Sequence, residues 1–191
     1  MNKFDIHFTD EELAVLGSTV GSTWDNYGSS TLSDDGRFAF EDCFVQTSIG
    51  TVTLSSSLIE VPLPTGVEEI TQLSFRAGSD DTRKSSKRGL QFFQHKGERI
   101  DSVSIVQAKV SIFQADREIF ALYSDHGIIF HLAGGTIALT RGSWFLEDIL
   151  VEEFGYFDGA TIDDRAIDWD SDLTTEYRVD HKICGLSDLL N

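Results

Sequence analysis

Short runs of β-branched and aromatic residues, separated by turns rich in glycine, aspartate and lysine, begin at Arg37 and continue through most of the chain. Such side chains fit a pleated, half-buried surface, and glycine or aspartate permits tight reversals, so this texture is typical of antiparallel sheet. We predict nine strands here, over residues 38–47, 51–55, 58–63, 70–77, 89–94, 102–114, 118–124, 128–132 and 136–140. The expected fold is mainly β, a β-rich α+β arrangement built as an antiparallel sandwich or partly open barrel.

The N-terminal residues add one strand and one short helix to this plan. Residues 4–8 alternate apolar and polar side chains, which predicts a half-buried strand. Thr9 and Glu12 then have the spacing of a capping box, Leu13 and Leu16 supply an apolar side, and Gly17 can end the helix. A helical turn is also expected over residues 186–190 at the C-terminus.

A length of 191 residues predicts a single domain, residues 1–191. Three segments stand out within it. Residues 17–36 contain twelve Gly, Ser or Thr in twenty and are expected to form a loop, and residues 78–89 form a polar loop with four bases. Residues 158–191 form an acidic C-terminal segment in which apolar residues are interspersed.

Two local patterns allow a more specific prediction. Residues 118–124 and 128–132 are expected to form a hairpin that turns at Asp125-His126-Gly127. Residues 144–154 fit either a helix or an edge strand, and we favour the strand. A shift of 85 positions aligns residues 44–55 with residues 129–140 as strand, turn and strand, which either duplication or hairpin convergence would produce.

The net charge of −17 lies at the two ends of the chain. Residues 1–60 carry ten acids and two bases, residues 61–146 nine and ten, and residues 147–191 thirteen and three. A field of this sign opposes binding to phosphate backbones, so we expect no direct contact with nucleic acid. The same field favours a basic protein partner, such as a toxin or a nucleic-acid enzyme, although simple solubility would also explain it.

The acidic C-terminal segment is where we expect such a partner to dock. Carboxylates attract a basic surface over a distance, and an aromatic side chain buried among them supplies contact area. The predicted partner-binding residues are Asp163, Asp164, Asp168, Trp169, Asp170, Asp172, Glu176 and Tyr177.

Motifs for chemistry are sparse, and we expect no cofactor and no metal. The sequence lacks a GxSxG elbow, a phosphate-binding loop and an HExxH helix. The carboxylates of residues 168–176 resemble the start of a calcium loop, but Leu173 and Val179 occupy the positions that need Gly and Glu. Cys43 and Cys184 lie 141 positions apart, and we expect Cys43 to be a buried thiol.

The leading hypothesis is a non-enzymatic, cytoplasmic protein that docks on and occludes a basic partner, as bacterial immunity proteins and phage-encoded inhibitors do. The chain has no apolar run of the roughly 18–20 residues needed to cross a bilayer, so no membrane is expected. One alternative is a hydrolase-like enzyme that uses His126 and His131 with Asp125 or Asp116. The other alternative is a β-rich assembly subunit that pairs through strand edges.

Overall fold

The computed structural model describes residues 2–78, 91–155 and 174–190, with side chains from residue 97 onward in the second range. It confirms a mainly β, antiparallel fold with two helices. The elements in these ranges are β1 (Asn2–Ile6), α1 (Asp10–Thr19), β2 (Thr23–Ser29), β3 (Phe38–Phe40), β4 (Asp42–Thr47), β5 (Gly50–Leu63), β6 (Gly66–Ala77), β7 (Gln91–Gln114), β8 (Arg117–Leu132), β9 (Gly135–Arg141), β10 (Asp148–Phe154), β11 (Thr175–Gly185) and α2 (Leu186–Leu189).

The strands are hydrogen-bonded in the order β3-β10-β9-β8-β7-β2-β4-β5-β6, with β1 parallel to β8 and β11 antiparallel to β7. The 24-residue strand β7 connects the two halves of this sheet. Its residues 91–99 pair with β2, whereas its residues 100–114 pair with β8. The long strand β7 therefore belongs to both halves of the sheet and joins them.

The larger core lies between the two halves. The ring of Trp24 on β2 meets that of Phe130 on β8 edge to face, with centroids 4.9 Å apart. Leu13 and Leu16 of α1 add to the same cluster. A second core packs the ends of β5 and β6 against β7 and β8, and its buried members are Ile6, Val61, Leu63, Ile70, Ala108, Val110, Ile112, Phe120, Leu122 and Trp144.

The prediction of a hairpin that turns at residues 125–127 is wrong. Residues 117–132 form one continuous strand, and the chain reverses instead at Ala115 and Asp116, both of which have positive φ, 49° and 62°. Two such residues match the twist of the flanking strands. Val106 of β7 pairs with Gly127 of β8, and Gln107 of β7 pairs with Asp125 of β8, so His126 is the extra residue of a β-bulge in β8.

The loop predicted over residues 17–36 is also wrong in part. Helix α1 continues past Gly17 to Thr19, and residues 23–29 form β2, which pairs with β4 on one side and β7 on the other. Burial of Trp24 and Tyr27 overrides the turn-forming composition of the surrounding residues. The capping box is confirmed, since the backbone N–H of Glu12 donates to Thr9 and that of Thr9 to Glu12.

Other predicted elements hold with changed limits. Residues 38–47 are divided into β3 and β4 at Glu41, which has a φ of 63°, and several neighbouring short strands merge into β5 and β7. The strand favoured over residues 144–154 is confirmed for residues 148–154, and the C-terminal turn is α2. The two aligned segments form hairpins of the same register, in which Thr47 pairs with Gly50 and Leu132 with Gly135. Residues 79–89 of the predicted polar loop lie outside the described residues.

Candidate functional site

Two of the predicted partner-binding residues lie on β11, and the structure gives each a neighbour. Both oxygens of Glu176 accept hydrogen bonds from Arg178, at 2.7 and 3.2 Å, and this contact lowers the pKa of Glu176. Tyr177 is half-buried and packs against the second core. The other six lie outside the described residues: Asp163, Asp164, Asp168, Trp169, Asp170 and Asp172. Docking through this segment stays a prediction.

His126 belongs to a buried network around Arg141. One guanidinium nitrogen, Nη2, lies 3.1 Å from Nδ1 of His126 and 3.0 Å from the hydroxyl of Ser124, while Nη1 donates to the carbonyl of Thr71 at 2.6 Å. The guanidinium also lies 3.7 Å from the centre of the Trp144 ring. Arginine has only donors, so Nδ1 of His126 must accept. The network connects β9 with β8 and β6.

Asp125, the residue before His126, belongs to a different network. Its carboxylate accepts hydrogen bonds from the backbone N–H of Phe8 at 2.6 Å and from the side-chain amide of Gln107 at 3.1 Å. The same carboxylate lies 3.1 Å from Nδ1 of His7. The hydrogen bond to Asp125 raises the pKa of His7, against the effect of burial. The thiol of Cys184 donates a hydrogen bond to the side-chain carbonyl oxygen of the same Gln107, at 3.3 Å.

His131 lies in a third environment, where its Nε2 is 2.9 Å from the hydroxyl of Ser104 and burial lowers its pKa. In the described contacts, His126, Asp125 and His131 therefore have different partners, and Asp116 lies in the β7–β8 turn. Within the described ranges, no three His, Cys, Asp or Glu side chains are grouped to hold a metal ion. Cys43 is fully buried, as predicted, and burial raises its pKa to about 12.

A cavity of about 300 Å³ lies beside the β8–β9 turn, and we call it the acidic pocket. Glu98 of β7 and Glu153 of β10 line it. The backbone N–H of Gly134 donates to Glu98 at 3.0 Å, and a Cβ on Gly134 would lie 2.7 Å from a Glu98 oxygen. The absence of a side chain at residue 134 thus lets the carboxylate reach the turn. The other lining residues are Leu132, Gly135, Thr136, Ile137, Phe154 and Gly155.

Among the described residues that line the acidic pocket, the charged side chains are the two carboxylates of Glu98 and Glu153. A second cavity, between α1 and β6, is lined by Glu11, Glu12 and also Arg76. The negative field extends to Tyr27, whose pKa burial raises to about 12, with smaller contributions from Glu153 and Asp35. The sequence analysis missed the pocket, since Glu98 and Glu153 are distant in sequence. The adjacent glycines 134 and 135 are the only local signal.

A second acidic feature lies on the β5–β6 hairpin. Glu60 of β5 pairs directly with Glu69 of β6, and the next pair along the two strands is Val61 with Glu68. All three glutamates are exposed, and among the described residues none forms an ion pair. We call Glu60, Glu68 and Glu69 the acidic tip.

Comparison of the chain with protein-family models, with curated proteins and with solved structures finds no match. In the part of the chain that the structure describes, neither helix has the length and apolar character required to cross a membrane.

Proposed function

We propose that the protein is a non-enzymatic acidic binding protein that docks on a basic surface of another protein and occludes it. The observation that carries this proposal is the acidic tip. Like charges placed directly opposite each other in a sheet destabilise it, so the pairing of Glu60 with Glu69 has a cost to folding. A basic partner would remove that repulsion on binding. The net charge of −17 adds long-range attraction for the same partner.

The proposal includes the class of partner and the setting. A toxin or a nucleic-acid enzyme has the cationic cleft that such a surface would cover, which places the protein with bacterial immunity proteins and phage-encoded inhibitors. Both cysteines are buried free thiols, which agrees with action in the reducing cytoplasm. The predicted segment from Asp163 to Tyr177 would extend the docking surface.

The two alternatives have less support. The hydrolase-like site would require His126 and His131 to act together, and their described hydrogen-bond partners are different, Arg141 for the first and Ser104 for the second. Assembly through strand edges would use a strand that ends the described sheet, and β6 is one such strand. On β6, the backbone N–H of Phe75 donates to the side chain of Glu12, and the backbone N–H of Thr71 donates to the carbonyl of Trp144. Part of this edge is therefore hydrogen-bonded within the chain.

The test compares two variants that lose the same number of negative charges. One carries Glu60→Gln, Glu68→Gln and Glu69→Gln at the acidic tip, and the other carries Asp10→Asn, Asp180→Asn and Asp188→Asn at exposed positions elsewhere. The probe is a deca-lysine peptide, whose association with each immobilised protein is measured from low to high salt. We expect the tip variant to associate more slowly and with a flatter salt dependence than the control variant. Equal kinetics for the two folded variants would contradict docking at the tip.

A further inference from the structure

The N-terminal strand β1 buries little of its surface. Of its five residues only Ile6 is buried, and in the described sheet β1 pairs with β8 and with no other strand. The pairing is parallel and extends from Asn2 opposite Phe120 to Ile6 opposite Ser124. Segments with few buried apolar contacts open locally at a smaller free-energy cost than the whole fold. A local opening of β1 is therefore expected to cost less than global unfolding.

The chain that follows β1 is anchored independently of that strand. Phe8 is buried in the larger core, and Leu16 of α1 packs in the same cluster. The carboxylate of Glu12 also fixes the helix to β6, because it accepts the backbone N–H of Phe75 at 2.9 Å. An opening of β1 can thus leave α1 in place, with His7 at the hinge.

His7 fastens the end of β1 to β8. Its Nδ1 atom lies 3.1 Å from Oδ1 of Asp125. The side chain of Asp125 is 4% exposed and that of His7 is 39% exposed, so the imidazole can exchange a proton with solvent while its partner stays in the interior. A carboxylate binds an imidazolium more strongly than a neutral imidazole, because the hydrogen bond is then charge-assisted. The protonation state of His7 therefore sets how firmly β1 is held.

Asp125 has the largest influence on His7 among the charged groups of the surrounding elements. These groups are Asp125 on β8, Lys3 and Asp5 on β1, Asp10, Glu11 and Glu12 in the first turn of α1, and Cys184 on β11, which reaches Asp125 through Gln107 of β7. The hydrogen bond to Asp125 raises the pKa of His7, and burial opposes this effect. Asp5 raises the pKa further and Lys3 lowers it, and these two residues also pair with each other at 3.0 Å.

We propose that His7 and Asp125 form a pH-sensitive latch, which holds β1 against β8 when His7 is protonated and lets β1 open when the pH rises. Opening would uncover the backbone of residues 120–124 on one edge of β8 and withdraw Ile6 from the second core. In the closed state the pKa of His7 is raised above its ordinary value of 6.5. The added stability of the closed state is therefore complete below about pH 6.5 and is lost as the pH rises through the closed-state pKa. Such a latch would operate whatever partner the acidic tip binds.

The closing experiment measures amide hydrogen exchange of the full chain between about pH 5.5 and pH 8.5, with each rate divided by the intrinsic rate at that pH. The amides of residues 3–6 report on β1, and those of the β4–β5 hairpin report on opening of the sheet. We expect the β1 amides to be less protected than the hairpin amides at every pH. Their protection should fall several-fold from the lower to the higher pH.

Three variants assign the pH dependence to the latch. In His7→Gln the side chain can still donate to Asp125 but does not titrate, so the fall in β1 protection should disappear. Asp125→Asn keeps an acceptor for the Phe8 N–H without the charge and should have the same effect. His131→Gln is the matched control, because this histidine pairs with Thr136 of β9, beyond the part of β8 that contacts β1, and the fall should persist.

Thermal melts establish that each variant is folded, and His7→Gln alters a part-exposed side chain, so it decides the result if Asp125→Asn does not fold. An equal fall in β1 protection for wild type and His7→Gln would overturn the latch. Equal protection of the β1 and hairpin amides in wild type would also overturn it, because β1 would then open only with the whole sheet.

Discussion

The Nδ1 atom of His7 lies 3.1 Å from Oδ1 of Asp125, a residue 118 positions later, and this contact ties the end of β1 to the middle of β8. The carboxylate is buried, whereas the imidazole is part-exposed. A titratable side chain thus holds the N-terminal strand at the point where β8 carries its bulge.

Stability should depend on pH through this contact. The hydrogen bond to Asp125 raises the pKa of His7 above 6.5 in the folded state. The stabilising contribution is therefore complete below about pH 6.5 and is lost as the pH rises through the folded-state pKa. We expect His7→Gln to lower the free energy of unfolding more at about pH 5.5 than at about pH 8.5. Urea unfolding at a series of pH values measures this, and a difference independent of pH would contradict it.

His131 should show the opposite dependence. Burial lowers its pKa, so the folded state favours the neutral imidazole and protonation on acidification opposes folding. The contribution of neutral His131 is present above about pH 6.5 and is lost as the pH falls through the folded-state pKa. The stability difference between wild type and His131→Gln should shrink on acidification. Slopes of the same sign for the two histidine variants would show that one assignment is wrong.

Arg141 should be among the side chains on which stability most depends. It is 1% exposed, and its contacts with Thr71, Ser124 and His126 join three strands. Lysine cannot reproduce the two guanidinium donors, so Arg141→Lys should cost about 2–4 kcal/mol of unfolding free energy. The exposed Arg99 provides the control, and Arg99→Lys should change stability by less than about 0.5 kcal/mol. Equal effects in urea unfolding would refute a structural role for the network.

Glu12 should stabilise both the start of α1 and the edge of β6. One carboxylate oxygen accepts from Thr9, and the other accepts the backbone N–H of Phe75 at 2.9 Å. Glu12→Ala should cost about 1–2 kcal/mol and speed hydrogen exchange at the Phe75 amide. Glu11→Ala, which removes the neighbouring exposed acid, should leave that amide protected. Unchanged exchange at Phe75 in the Glu12 variant would contradict the second contact.

Gly127 allows β8 to approach β9 closely. A Cβ at this position would lie 2.7 Å from the carbonyl oxygen of Leu139 and 2.8 Å from Cα of Thr140. Backbone atoms cannot move aside cheaply, so Gly127→Ala should destabilise the protein by about 1–3 kcal/mol. At Gly155 an added Cβ meets no atom of the described residues within 4 Å, and Gly155→Ala should be close to neutral. Equal melting temperatures for the Gly127→Ala and Gly155→Ala variants would contradict the close approach of β8 to β9.

For the predicted docking segment, charge and aromatic variants should separate kinetically. Lysine substitution at both Asp168 and Asp170 should lower the association rate with a basic partner and flatten its salt dependence, whereas Trp169→Ala should mainly raise the dissociation rate. Melting temperatures of the same variants distinguish docking from folding. A large drop for Trp169→Ala without a separate kinetic effect would mean that Trp169 serves the core.

Local pattern was sufficient for the elements whose signals lie close together in sequence. The capping box of Thr9 and Glu12, the β4–β5 and β8–β9 hairpins and the burial of Cys43 follow from neighbouring residues. The failures arose where a local turn signal competed with distant packing. Asp125-His126-Gly127 has the composition of a turn, but pairing with β7 on one side and β9 on the other keeps the strand continuous.

The sequence by itself determined the mainly β class, because side chains that suit a pleated surface recur throughout the chain in runs of strand length. It also determined the sign of the electrostatic field, since net charge does not depend on the fold. Only the tertiary structure decided which carboxylates share a surface. Glu98 and Glu153 line one cavity because residue 98 of β7 and the end of β10 both lie beside the β8–β9 turn, and Glu60 faces Glu69 because the register of β5 and β6 opposes them. Strand register is set by burial across the whole sheet, which short sequence patterns do not encode.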